Sequence, residues 1–385
     1  MKNRSNLIIL SIFLIWRTAL FVISFISLKY FPFQPRFPYS DIFLIPSGFP
    51  KFLWSFANFD GVHYLTIINH GYSAQYTQVF FPFYPYLIRI ISSTFYYVSP
   101  IVVGIGLSNI FFLLSLFLFN KLINLDNIKN AFWAIIFLIS FPTSFYFGSL
   151  YTESLFFLLV LSSFYFARKN KWLAASFLGT LASMTRLNGI FLLPSLLVEW
   201  LLQKKVPQTK ISNLMKEALK CPALYIVPLG LLIYMAYLQL TFHDALYFWH
   251  AQPVFGAERS GSQIVLLHQV FYRYYKILTT VQFGSEVFFI SFLECFFTIV
   301  SILCLIGAYR KKIRLSYLVF SVFSILIPTL TGTLSSMPRY VLLAFPIYVY
   351  LSSIKSALLK MIIIALSLIL LTVLTSLFAR GHWVA

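Results

Sequence analysis

Negative charge is what this chain has least of. Only ten of its 385 residues are Asp or Glu, and charged residues of both signs make up 10% of it, against 60% apolar. A soluble domain carries roughly 25% charged residues, so this composition, with a mean hydropathy of +0.85, excludes an ordinary water-soluble fold and places the chain in a membrane. Cysteine is scarce too. Cys221, Cys295 and Cys304 lie within or beside apolar runs, with no C-x-x-C pair and no metal-spaced His near them, which points to packing. Heptads, short-period repeats and low-complexity tracts are lacking.

What is present is a succession of apolar stretches. They predict membrane spans near 7–29, 99–119, 131–147, 153–167, 172–186, 188–203, 221–242, 286–307, 315–334, 339–354 and 360–378, about eleven in all. The pair 172–186 and 188–203 holds barely enough residues for two crossings, so it is read as tilted, broken or re-entrant, with Arg186 at its turn. The first run is too long for a signal peptide and no small-residue cleavage site closes it, so it is taken as an uncleaved span.

The net charge of +19 would suit a nucleic-acid binder, but its distribution does not. With the N-terminus inside, 18 of the 29 basic residues fall in cytoplasmic segments, among them Lys129 and Lys210, and ten fall outside; Arg17 is buried in the first span. That is the positive-inside pattern. Acidic residues go the other way, with Asp41, Asp60, Glu153, Asp244, Glu258 and Glu286 outside. The expected architecture is one transmembrane domain over residues 1–385, with long outer loops at 30–98 and 243–285. Both loops are aromatic and Pro-bearing, which suits interfacial structure. Phe81-Pro82-Phe83-Tyr84-Pro85 leads into an amphipathic segment, 86–97. Cytoplasmic connections are short, so chemistry must come from outer loops and span ends.

Several polar residues stand there. Asp60 and His63 are three apart, so on a helix a carboxylate and an imidazole converge on one hydroxyl; the alternative is that Asp60 caps an interfacial helix. Tyr151 and Glu153 mark the outer entrance of a span, where a Glu also suits the helix dipole. Arg186, between apolar half-spans, needs a partner, and a lipid phosphate is the natural one. Arg339, in Met337-Pro338-Arg339-Tyr340, offers a second bidentate phosphate contact or a snorkelling cation. His243, Asp244 and His250 do not have a recognised metal spacing, and interfacial packing is the expected role.

In this order the segments resemble the GPI mannosyltransferase II (PIG-V) family and its bacterial relatives. The matching pieces are Phe59-Asp60-Gly61-x-His63-Tyr64-Leu65, Gly71-Tyr72, Phe81-Pro82-x-Tyr84-Pro85, Tyr151-Thr152-Glu153-Ser154, Ala182-Ser183-x-Thr185-Arg186-x-Asn188-Gly189 and Pro338-Arg339-Tyr340. Phe59 stands where the family usually has Trp. The resemblance implies an all-α, GT-C-like bundle with interfacial helices in the first outer loop. It also implies a polyprenyl-phosphate sugar as donor, mannose as the sugar, no metal or other cofactor, and Asp60 as the base. His63, Tyr64, Tyr84, Tyr151, Glu153, Arg186, Asn188 and Arg339 are then the substrate-binding positions; the acceptor does not follow from the resemblance, and a lipid or glycan is expected.

Attack by an acceptor hydroxyl with inversion needs one carboxylate, whereas a retaining hydrolase wants two about 5 Å apart. A lipid-sugar transporter, for which Arg17, Glu199 and Glu294 speak, and a non-catalytic subunit of a glycosylation complex are the alternatives. Asn3-Arg4-Ser5 is the sole N-x-S/T sequon and falls on the cytoplasmic side. A bacterial plasma membrane is therefore expected, or the endoplasmic reticulum in a eukaryote.

Overall fold

The computed structural model describes residues 2–95, 98–126, 131–205, 216–256, 259–261 and 263–384. Lys129, Lys210 and Glu258, assigned above to sides of the membrane, lie outside them. Helices account for the fold, and no strand occurs among the described residues. Five helices are long and apolar enough to cross a bilayer: Arg4–Tyr30, Pro100–Leu125, Pro222–Phe242, Glu286–Arg310 and Ala357–Ala379. Shorter apolar helices run over Ala131–Ser140, Trp172–Thr185, Leu187–Gln203 and Leu315–Thr329. The chain is an integral membrane protein.

Proline decides where apolar runs stop being helix. The run 131–147 ends at Ser140, before Pro142, and continues as a 3-10 turn over Ser144–Gly148. The run 339–354 divides into Met337–Leu342 and Pro346–Ser352, and 315–334 ends at Thr329 after Pro328. Proline lacks an amide hydrogen and restrains the preceding residue, which hydropathy alone does not register. The amphipathic segment forms as Phe83–Thr94, three residues earlier than read, because Pro85 falls in its first turn, where no amide partner is required.

Broken helices leave carbonyls unpaired, and in an apolar medium each such group costs several kcal/mol. The 3-10 turn Pro222–Ile226 is satisfied by its neighbour: Thr180 Oγ1 donates to Ile226 O at 2.7 Å and Ser183 Oγ to Val227 O at 2.7 Å. That approach is possible because Gly230 has no side chain; a Cβ there would sit 2.1 Å from Thr180 O. Gly189 plays the same part in the hairpin 172–203. Its Cβ would meet the backbone of Ala182 and Ser183 at 2.3 Å, so the 3-10 turn Leu187–Phe191 folds tightly against the end of Trp172–Thr185.

Two fastenings hold the ends of the bundle. At the end of Leu192–Gln203 remote from Asn188, fully buried Glu199 receives Nε and Nη2 of Arg314, both at 2.6 Å, and Ser316 Oγ at 2.7 Å. Arg168 pairs with Asp126 beside it, at 2.6 Å. Glu199 therefore fastens helices together and the transport role considered for it has no support in its contacts. At the other end, Arg380 Nε donates to Phe31 O at 2.8 Å and Gln34 N to Arg380 O at 2.9 Å, pinning the start of the loop 30–98 to the C-terminal turn.

Candidate functional site

The helix Asp60–His70 starts abruptly. Phe59 before it takes φ 56°, ψ −116°, a conformation that costs a β-carbon residue about 1–3 kcal/mol. Packing offsets this strain: its ring lies 4.7 Å from Phe37, 5.4 Å from Trp383 and 5.7 Å from Phe378. Asn58 Nδ2 donates to Phe378 O at 2.8 Å, Tyr151 OH donates to Asn58 O at 2.9 Å, and the Asp60 amide donates to Tyr151 OH at 3.2 Å. No side-chain bond caps this helix. The Asp60 carboxylate points elsewhere, to Arg339.

Arg339, on the short helix Met337–Leu342, brings Nη2 within 2.8 Å of Asp60 Oδ2 and 2.8 Å of Glu153 Oε1, with Nε 3.0 Å from the same Glu153 oxygen. Arg186 Nη1 stands 2.7 Å from Glu153 Oε1 and donates to Thr152 Oγ1 at 3.2 Å. The four groups form a continuous chain, Asp60–Arg339–Glu153–Arg186, with two charges of each sign. Glu153 is fully buried, while the Asp60 side chain keeps 20% of its surface. Tyr146 and Tyr151 lie against the Arg339 guanidinium, 4.7 and 4.9 Å from ring centre to Cζ. The partner expected for Arg186 was a lipid phosphate; in the structure it is Glu153.

Above this chain opens a cavity of about 790 Å³. Of the nine candidates, Asp60, His63, Tyr64, Arg186, Asn188 and Arg339 line it. Tyr84, Tyr151 and Glu153, read as substrate contacts, do not: they are buried beneath. Tyr84 OH is 2.8 Å from Ser108 Oγ and donates to Gly104 O at 3.2 Å, holding two helices together, and Tyr151 fixes the entry to Asp60. A buried phenol must satisfy its hydroxyl locally, and these two do so on backbone. Asn188 Nδ2 donates to Ser324 O at 3.3 Å.

His63 faces the cavity with its ring stacked on Phe80 at 5.1 Å and a buried Nδ1 that has no hydrogen-bond partner. Burial lowers its pKa from 6.5, opposed by the Asp60 charge, so the imidazole is neutral at pH 7. His250 Nδ1 lies 2.7 Å from Asp244 Oδ2, and no group of three metal-ligating side chains converges among the described residues.

Sequence reasoning missed part of the wall. Arg36 from the loop 30–98, Phe255 and Arg259 from the loop 243–285, and Trp383 near the C-terminus all line the cavity. Only long-range folding brings them there, and none belongs to a polar motif with Asp60. Phe255 packs on Phe80 and on His63, each at 5.5 Å, so an aromatic cluster faces the carboxylate-bearing helix.

A family model described as Mannosyltransferase (PIG-V) matches residues 5–274. The matched span takes in Asp60, His63, Glu153 and Arg186 and ends before Arg339. No curated protein matches the chain.

Proposed function

The chain belongs to the mannosyltransferase (PIG-V) family, and on that footing we propose that it moves mannose from a polyprenyl-phosphate carrier to a lipid or glycan acceptor. It is a membrane glycosyltransferase by that membership. The donor, the acceptor and the residue roles are our reading. The observation that carries them is the Asp60 carboxylate, the one carboxylate lining the cavity among the described residues, anchored by Arg339 at 2.8 Å.

In the proposed reaction the acceptor oxygen bonds to the anomeric carbon, and the bond from that carbon to the phosphate oxygen breaks. Its electron pair leaves with the polyprenyl phosphate, the hydroxyl proton passes to Asp60, and the configuration inverts. Neutral His63 orients the acceptor or the base from one helical turn away. Tyr64 and Asn188 meet the substrate at the cavity wall, with Phe80 and Phe255 supplying apolar faces for a pyranose ring. Arg186 and Arg339 contact the phosphate with the guanidinium edges that Glu153 leaves, and cationic guanidinium serves there without a metal ion.

The proposed setting is a GT-C-like bundle of about eleven crossings over 1–385, with the N-terminus in the cytoplasm and loops 30–98 and 243–285 outside. The active site then opens on the non-cytoplasmic face of a bacterial plasma membrane. The asymmetry of basic residues supports this orientation. The test is transfer of radiolabelled mannose from polyprenyl-phosphate mannose into host lipid extract by the purified, folded chain with chelator present. Labelled lipid is the expected result; an intact donor and no product would sink the reading.

A further inference from the structure

Among the described residues the ion pairs around the cavity leave one cation out. Five charged side chains of these residues line it: Arg36, Asp60, Arg186, Arg259 and Arg339. Arg186 and Arg339 are matched by Glu153 and Asp60 on the floor. Arg36 is matched by Glu286, 2.8 Å away. Arg259 donates from Nη1 to the neutral Gln252 Oε1 at 3.2 Å and has no ion pair among the described residues.

Its place is built rather than adventitious. Ser260 N donates to Thr331 O at 2.8 Å, Val265 N to Leu330 O at 2.9 Å, and Trp249 Nε1 to Gly261 O at 3.0 Å. The segment that receives the first two of these bonds is itself fixed from below: Ser336 N donates to the buried Glu294 Oε1 at 3.1 Å, and Tyr274 OH donates to Glu294 Oε2. Three residues on stands Arg339. The second outer loop and the segment leading to Arg339 are thus one fastened unit over the cavity.

We propose that Arg259 is the residue that takes up the charge of the departing lipid phosphate. This rests on the donor being a lipid-linked sugar phosphate. Such a diester carries one negative charge. When the bond to the anomeric carbon breaks, the phosphate keeps the electron pair and gains a second. Proton transfer to Asp60 offsets that second charge over the site as a whole, but Arg186 and Arg339 share their donors with Glu153 and Asp60, whereas among the described residues Arg259 gives one donor to a neutral amide, bonds no carboxylate and has only the more distant Glu294 acting on it. A guanidinium meets it in fork geometry, and a charge-assisted bond of this kind grows stronger as the transition state is reached.

The test uses the full chain in detergent, with thermal unfolding as the readout and polyprenyl monophosphate as the probe. Wild type is stabilised by the probe; Arg259→Gln needs about 10- to 100-fold more of it for the same shift, the range of one charged hydrogen bond, and Arg259→Lys restores part of the affinity. In transfer assays Arg259→Gln lowers kcat, raises the apparent KM for the donor and weakens inhibition by polyprenyl phosphate, whereas Asp60→Asn loses kcat and keeps probe binding. Equal binding by wild type and Arg259→Gln, no shift in wild type, or an equal shift from inorganic phosphate at the same concentration would each overturn the assignment. Probe binding that depends on Arg259 in a chain that transfers no mannose would leave the assignment standing and remove the transferase reading.

Discussion

At the scale of single residues the site is an alternation of charge, and its central member is not the one that meets substrate. Glu153 is fully buried, and one of its oxygens holds both Arg186 and Arg339 while the other has no partner. Removing its charge leaves two buried guanidiniums facing Asp60 alone. Breaking a buried ion pair from one side costs about 3–5 kcal/mol, so Glu153→Gln should lower the Tm in detergent by several degrees and misplace Arg339. An unchanged Tm would show that the two arginines do not depend on it. Asp60→Asn, by contrast, should alter the Tm little, because its side chain is partly exposed and Asn retains an oxygen for Arg339.

His63 gives a second residue-scale prediction, in pH. Its pKa is lowered in the folded protein by burial, so between about pH 6.5 and its folded value the unfolded chain binds a proton that the native one does not. Stability therefore falls with pH through that window and is fully present above it. His63→Gln should flatten the acid limb of the stability profile below pH 6.5. A limb as steep as in wild type would mean that the imidazole is not excluded from protonation.

At the scale of elements, close backbone approach governs the region behind Arg186. Gly230 faces backbone atoms on two sides, Thr180 O at 2.1 Å and Met184 N at 2.7 Å from a built Cβ, and neither is the end of a flexible side chain. Gly230→Ala must move one helix, at about 1–3 kcal/mol or more. Gly106, in Pro100–Leu125 with nothing within 4 Å, should accept Ala without loss. Thermal denaturation of the two variants side by side checks this, and equal Tm values would contradict the crossing described here.

Element boundaries also show what a linear reading can reach. Long uninterrupted runs such as 360–378 appear as the helix Ala357–Ala379, because twenty apolar residues leave the backbone no other way to pair in lipid. Runs holding Pro142 or Pro346 broke where apolarity alone predicted continuity. In the candidate site, Asp60 and His63 were legible because three residues on a helix is a local relation. Tyr84 and Tyr151 were legible as positions but not as roles, since whether a phenol meets a cavity or a neighbouring carbonyl is set by packing. Arg36, Arg259 and Trp383 carried no local signal at all, as each reaches the cavity from a loop or terminus far from Asp60 in sequence.

At the scale of the whole molecule, the two ends of the bundle are built for different purposes. The end with Glu199 closes on itself, its buried carboxylate satisfied by Arg314, Ser316 and Gln203. The other end gathers loops 30–98 and 243–285, the Arg186 turn, the Arg339 helix and the C-terminal turn around 790 Å³ of open volume with one carboxylate in its wall among the described residues. That division matches a protein in which lipid-embedded helices fix a site that loops complete.

The most direct test of the account compares wild type with Asp60→Asn in mannose transfer from polyprenyl-phosphate mannose, in detergent with chelator, after both are shown to have the same Tm. Transfer by wild type with loss of kcat by two or more orders of magnitude in the variant is predicted, the scale of a positioned general base. Equal transfer by the folded variant would contradict it and take Asp60 out of the chemistry.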